Sequence, residues 1–188
     1  MDATRSMFVK GGDKRGDLDC NELLQSALGA LKNELEMRRI TTELDLTNPL
    51  PLIHGSKTQL HQVISNLVMN SADAMSAVAG RPRILSLTAR IEEAETILIT
   101  IRDTGVGIQA DAFDKIFEPF FTTKETGMGL GLAICRWIVA THGGELWASP
   151  NQGSGTIFYL RLPAKQGADS PPEPPLEIPE FRMSGGRE

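Results

Sequence analysis

The sequence predicts an α/β fold, a two-layer sandwich in which one mixed β-sheet is covered by three main helices. Three observations carry that expectation. Strand-like and helix-like segments alternate along residues 17–164. The helical segments are apolar on one face only and need a sheet to cover. The segments 83–91 and 96–102 place apolar side chains at every second position, as half-buried strands do. With 188 residues, 40% of them hydrophobic and 23% charged, the chain is long enough to bury one substantial core.

Residues 1–16 end in "KGGDKRG", whose glycines and charges read as a linker. The first helix starts at Asp19, with Glu22 as capping-box partner, and Leu24, Leu28, Leu31 and Leu35 then recur on one face. "TTELDL" follows as a strand. A second helix begins at Ser56, with Gln59 as its box partner, and continues to about Ala77. The strands at 83–91 and 96–102 are joined through "EEAE" as a hairpin. A third helix, over about 129–142, stops at "HGG", where glycine can adopt the left-handed conformation. Strands near 145–149 and 155–162 complete the sheet. Residues 171–179 hold five of the eleven prolines, which suits neither a helix nor a central strand, so 165–188 read as a disordered tail and 17–164 as the folded domain.

A formal net charge of −5 without a dense Lys/Arg cluster argues against a nucleic acid or an anionic membrane surface as partner. Cys20 and Cys135 lie far apart without metal-ligand spacing, and both fall in helical patterns, so they read as small buried hydrophobes in a reducing compartment. No apolar run approaches the roughly 20 residues of a membrane helix, and the N-terminus lacks a signal-peptide core. A cytoplasmic location is expected, with any membrane anchor outside this chain.

Four features carry chemistry. In "ILITIRDTGVGI" the alternation that points Ile97, Ile99 and Ile101 inward also points Asp103 inward, where a carboxylate needs a donor such as the exocyclic amine of a base. Gly105 and Gly107 let the backbone approach a flat ring, with Val106 and Ile108 as walls. The second helix sets a stripe of Gln59, Gln62, Asn66, Asn70 and Asp73 beside its apolar arc, and amides mid-helix suggest oxygens wanted for coordination. "KETGMGLGLAI" puts Gly127, Gly129 and Gly131 at a helix start, where free N–H groups suit phosphate. Upstream, "FEPFFTTK" offers Phe117, Phe120 and Phe121 as anchors of a lid whose polar end is Thr122, Thr123 and Lys124. Thr156 shares a strand face with Phe158, Leu160 and Leu162. Taken singly, each feature has an ordinary reading: a solvated helix edge, a turn-starting aspartate, a glycine-rich turn, a β-favouring threonine.

Their order along the chain resembles the four ATP-binding boxes of bacterial sensor histidine kinases, in the GHKL superfamily shared with gyrase, the ninety-kilodalton heat-shock chaperones and mismatch-repair ATPases. "FEPFFTTK…GMGLGLAI" followed by "THGG" is most similar to the short-lid kinases that include nitrogen- and oxygen-responsive regulators. The resemblance covers residues 19–163 and implies the Bergerat-type ATP-binding fold. It further implies that Asp103 accepts the adenine amino group, with Thr156 joining through an ordered water. Gly105, Gly107 and Ile108 would flank the base, beside Ala74. Asn70 would ligand Mg²⁺, helped by Asn66. Gly127, Gly129, Leu130 and Gly131 would face the phosphates, and Thr123 and Lys124 would meet them from the lid, Lys124 at the γ-phosphate.

The chain also departs from the family. Where GHKL hydrolases carry a glutamate base, one turn before the metal asparagine, this chain has Asn66, so efficient hydrolysis is not expected. Asp73 and Ala74 stand where many relatives have lysine and tyrosine, which leaves that helix without its usual phosphate cation. None of His54, His61 and His142 sits in a phosphoacceptor motif, and His142 reads as a helix C-terminal residue suited to the dipole. Residues 4–9, "TRSMFV", look like the tail of a dimerisation hairpin. The expected function is the catalytic, ATP-binding domain of a two-component sensor histidine kinase, with Asn66 and Lys124 nearest the chemistry and ATP and Mg²⁺ as ligands. Its partners would be a histidine-bearing dimerisation domain and a response regulator receiver domain. The alternatives are a nucleotide-binding regulatory module and a GHKL-type serine kinase.

Overall fold

The computed structural model describes residues 14–92, 95–122 and 127–165. The expectations for residues 1–13 and 166–188, and for Thr123 and Lys124, lie outside the described residues. Five strands form the main sheet in the order β2 (Thr41–Leu46), β4 (Ile84–Glu92), β5 (Thr96–Asp103), β7 (Thr156–Pro163), β6 (Glu145–Pro150). β2 runs parallel to β4 and the other neighbours are antiparallel, so the sheet is mixed as predicted. Helices α1 (Cys20–Met37), α2 (Lys57–Ser76) and α3 (Gly131–Thr141) complete the sandwich.

Both long helices start where their caps dictate. The Asp19 carboxylate accepts from the N–H groups of Asn21 and Glu22 at 2.7 and 3.2 Å, and the Ser56 hydroxyl accepts from that of Gln59 at 3.1 Å. The apolar arc of α2, Leu60, Val63, Ile64, Leu67, Val68 and Met75, is buried in one core with Leu85 and Leu87 of β4, Ile97, Ile99 and Ile101 of β5, and Leu160 of β7. Burying each such side chain contributes about 1.5–3 kcal/mol, which makes α2 the central beam of the domain. Cys20 and Cys135 are buried as expected, and burial pushes their thiols up to about 12 and about 11, so neither is a nucleophile near neutral pH.

The opposite face of the sheet is finished with polar cross-strand pairs. Thr88 and Thr100 share a 2.7 Å hydrogen bond, and Arg161 bridges Glu92 and Glu145 while lying over the Trp147 ring. Such pairs suit a face turned to water, which is why there are two layers and not three. Among the described residues no helix is long and apolar enough to cross a membrane.

Two short strands had no signal in the sequence. β1 (Arg15–Leu18) pairs antiparallel with β3 (Ile53–Ser56), and its first two residues, Arg15 and Gly16, fall in the stretch read as linker. Four-residue strands with a glycine and a charged or polar residue each, Arg-Gly-Asp-Leu and Ile-His-Gly-Ser, are too short to show an alternation. The strand is held by long-range contacts: Arg15 donates to the Thr141 carbonyl at 3.0 Å, and Asp17 pairs with Lys165 at 2.6 Å. His142 caps the C-terminal end of α3, as expected. It is buried, with Nε2 accepting from the Ser56 N–H at 3.0 Å and Nδ1 2.8 Å from the Ile138 carbonyl. That geometry requires a neutral ring protonated on Nδ1, which ties the end of α3 to the start of α2.

Candidate nucleotide site

The strand phase that buries Ile97, Ile99 and Ile101 places Asp103 at the end of β5 with no solvent exposure. Its Oδ1 accepts from the main-chain N–H groups of Gly105 and Thr156 at 2.8 and 3.2 Å. Its Oδ2 is buried without a hydrogen-bond partner among the described residues. Burial therefore pushes this carboxyl above the ordinary carboxylate range, against the opposing pull of the two N–H groups and the Arg81 charge; the nearby Ser71 hydroxyl makes no hydrogen bond of its own among the described residues. A buried acceptor left half-satisfied is costly unless a ligand completes it.

Asp103 lines a cavity of about 730 Å³, within the range of small-molecule sites. Of the residues singled out in the sequence, Asn70, Asp73 and Ala74 of α2, Val106, Gly107, Ile108, Phe121, Thr122, Gly129, Gly131, Thr156 and Phe158 line it with Asp103. The others take supporting positions. A Cβ on Gly105 would meet the Ala74 Cβ and Asp103 Oδ1, each at 2.8 Å, so only glycine lets the strand end approach α2 this closely. The Asn66 amide donates to Cys135 Sγ at 3.1 Å and lies beneath Gly131, where a Cβ would meet its Nδ2 at 2.8 Å. Asn66 thus supports the first turn of α3 from behind the cavity wall. Gly127 and Leu130 flank the same turn.

α3 begins at Gly131, two residues later than predicted, and the Leu130 side chain makes no capping hydrogen bond. An N-cap residue that leaves the first-turn N–H groups uncapped suits an anion site. The lid base is pinched by the Phe120 N–H donating to the Gly129 carbonyl at 2.9 Å. Gly129 sits at φ +65, and a Cβ there would fall 2.5 Å from the Phe120 carbonyl carbon. Phe117 is buried and Phe121 half-buried, but Phe120 is 76% exposed, so two of the three expected anchors hold the lid. Asp73 accepts from Arg38 Nη1 at 2.6 Å, so the chain after α1 balances that acid. The sequence reading missed the wall formed by Gln109, Asp111, Lys115 and Ile116, whose mixed polar pattern carries no distinctive signal apart from its position just before Phe117.

Gly155 sets the depth of Asp103. It lies at φ +103, and a Cβ there would stand 2.1 Å from the Asp103 main-chain oxygen. Gly153, at φ +91, has nothing within 4 Å of such a Cβ. Gly155→Ala is expected to cost about 2–3 kcal/mol, roughly a 10 °C fall in the thermal midpoint, and Gly153→Ala about 1 kcal/mol. Equal effects in calorimetric melts would mean that backbone strain alone, and not the crossing over Asp103, requires glycine at 155.

Residues 55–166 match the family of histidine kinase-, DNA gyrase B-, and HSP90-like ATPases. The chain belongs to this family. Among its relatives, the sensor protein TdiS of Thauera aromatica is 38% identical over 85% of this chain and 29% of TdiS. The nucleotide-free catalytic domain of the histidine kinase ThkA superposes with a TM-score of 0.71 at 28% identity, covering 80% of this chain and 96% of that domain. ThkA has also been solved with the response regulator TrrA, where the match is 26% identical over 80% of this chain and 42% of that chain, with a TM-score of 0.68. Full-length ShkA in complex with AMPPNP matches with a TM-score of 0.71 at 27% identity, over 80% of this chain and 31% of ShkA. The chain spans between 16% and 31% of the length of its first curated relatives. The α/β sandwich is that of histidine kinase catalytic domains.

Proposed function

We propose that this chain is the ATP-binding catalytic domain of a two-component sensor histidine kinase, donating the γ-phosphoryl group to a histidine on a separate dimerisation domain. The observation that carries the reading is Asp103: a buried carboxylate with Oδ1 held by the main chain and Oδ2 left without a donor, on the wall of the cavity. The adenine amino group is such a donor, while guanine presents a carbonyl at that position. Thr156 lines the same wall and would join through an ordered water, with Gly107, Ile108 and Ala74 around the ring. The N–H groups at Gly129, Leu130 and Gly131 would receive the phosphates, with Gly127, Thr123 and Lys124 on the lid side. The partners of the whole protein would be its histidine-bearing hairpin and a receiver domain, in the cytoplasm.

Mg²⁺ fits the donor set. Among the described residues no cluster of three His, Cys, Asp or Glu side chains could cage a metal, and Asn70, whose amide carries a hard oxygen, lines the cavity. An ion that retains its waters and takes most remaining ligands from phosphates needs little more. When bound, it would neutralise phosphate charge. Asn70 would hold and orient it, Asn66 would steady the phosphate-binding turn, and the absence of a carboxylate at 66 would leave water unactivated.

Asn70→Ala is expected to weaken ATP binding at least about tenfold in Mg²⁺ and to change it little in EDTA. Titration calorimetry under both conditions distinguishes this from a packing role, which would lower affinity equally in each. The wild-type chain should prefer an ATP analogue to a GTP analogue in the same assay; equal binding would remove Asp103 as the base-reading group.

A further inference from the structure

We propose that Arg81, which lies outside the cavity, is a positioning residue for base selectivity: it pins the Gly105 carbonyl and so aims the free oxygen of Asp103. The inference rests on the reading of Asp103 as the group that accepts the adenine amine. Three loops converge behind that carboxylate. Arg81, in the connection between α2 and β4, donates through Nη2 to the Gly105 carbonyl at 2.8 Å and to the Ser154 hydroxyl at 2.5 Å. The Ser154 hydroxyl donates to the same Gly105 carbonyl at 2.6 Å. From the far side of that loop, Asn151 Nδ2 donates to the Asp103 main-chain carbonyl at 2.8 Å.

The need for such a clamp follows from Gly105. A side chain is excluded there by Ala74, so the residue that supplies one of the two N–H groups on Asp103 Oδ1 is also the one with the greatest backbone freedom. The direction of Oδ2 depends on where the Gly105 and Thr156 N–H groups hold Oδ1. Tying the Gly105 carbonyl to a guanidinium and a hydroxyl restrains that freedom from outside the cavity, without adding a group that touches the base. The Arg81 charge also favours the ionised carboxylate that must accept the amine. Because Arg81 is exposed, its removal does not empty the core.

The test is the ratio of affinities for non-hydrolysable ATP and GTP analogues, measured by calorimetry. Arg81→Ala is expected to reduce the preference for ATP about three- to tenfold, as the loss of a charge-assisted hydrogen bond allows. The thermal midpoint without nucleotide should stay within a few degrees of the wild type. Arg81→Lys, which retains a charged donor, should recover most of the preference, and Ser154→Ala should shift it in the same direction as Arg81→Ala by less. An unchanged ratio in Arg81→Ala, or an equal loss for both nucleotides, would overturn the inference. If Arg81→Ala did not fold, Arg81→Gln and Ser154→Ala would decide by the same ratio. A wild-type chain that binds nucleotide without preferring ATP would overturn the reading of Asp103 itself, and this inference with it.

Discussion

Asp103→Asn is expected to reduce ATP affinity by at least about 100-fold and to erase the preference for ATP over GTP, while the domain stays folded. The size of the effect follows from the geometry of the carboxylate. Oδ1 faces two main-chain donors, the N–H groups of Gly105 and Thr156, so an asparagine must place its single acceptor there and turn its NH₂ to the position of Oδ2. That NH₂ then meets the adenine amine donor to donor. Rotating the amide relieves the ligand but points the NH₂ at the two N–H groups. Either way a buried polar group lacks its partner, at about 1–3 kcal/mol for each group, and sites built to pair a substrate N–H discriminate by large factors.

The same substitution separates function from stability. The folded-state pKa of Asp103 is raised by burial, so this group contributes stability below the ordinary carboxylate pKa and loses it as pH rises through the raised value. At neutral pH the ionised carboxylate is therefore a cost to the ligand-free domain. Asp103→Asn should melt at or above the wild-type temperature without nucleotide, and should no longer gain stability when ATP is added. A variant that melts lower and still responds to ATP would mean that the carboxylate serves the fold and not the base.

Much of this site was legible in the sequence because it is written in local periodicities. The phase of a single strand turned Asp103 inward, and Asp19 and Ser56 marked two helix starts that the caps then used. The glycines at 105, 107, 129 and 131 announced close approach, and the structure supplies the neighbours: Ala74, Gly155, Phe120 and Asn66. What was not legible depends on contacts between segments far apart in the chain. Nothing near His142 says that it will reach the Ser56 N–H, and nothing in "RGDL" says that Ile53–Ser56 will pair with it. Arg81 reads as an ordinary loop arginine until the 151–156 loop is folded against it. Phe120 shows the opposite failure: its composition suggested an anchor, but its position beside the Gly129 crossing turns the ring outward.

The second large effect concerns phosphoryl transfer. Asn66 has no carboxylate to deprotonate water, and its amide is occupied beneath Gly131 and against Cys135. Steady-state ATP hydrolysis by this chain alone should therefore be negligible even when the site is saturated. Transfer to a histidine needs no activated water, only an acceptor held in line with the γ-phosphate, and positioning of that kind is worth many orders of magnitude in rate. The decisive measurement is incubation of the chain with γ-labelled ATP and Mg²⁺, with and without a histidine-bearing dimerisation hairpin of the same protein, supplied separately or joined to it. Label that appears on the hairpin alone, stable in base and lost in acid, with almost no free phosphate released in its absence, is the predicted result; rapid phosphate release without the hairpin, or an unlabelled hairpin beside a chain that binds ATP tightly, would contradict it.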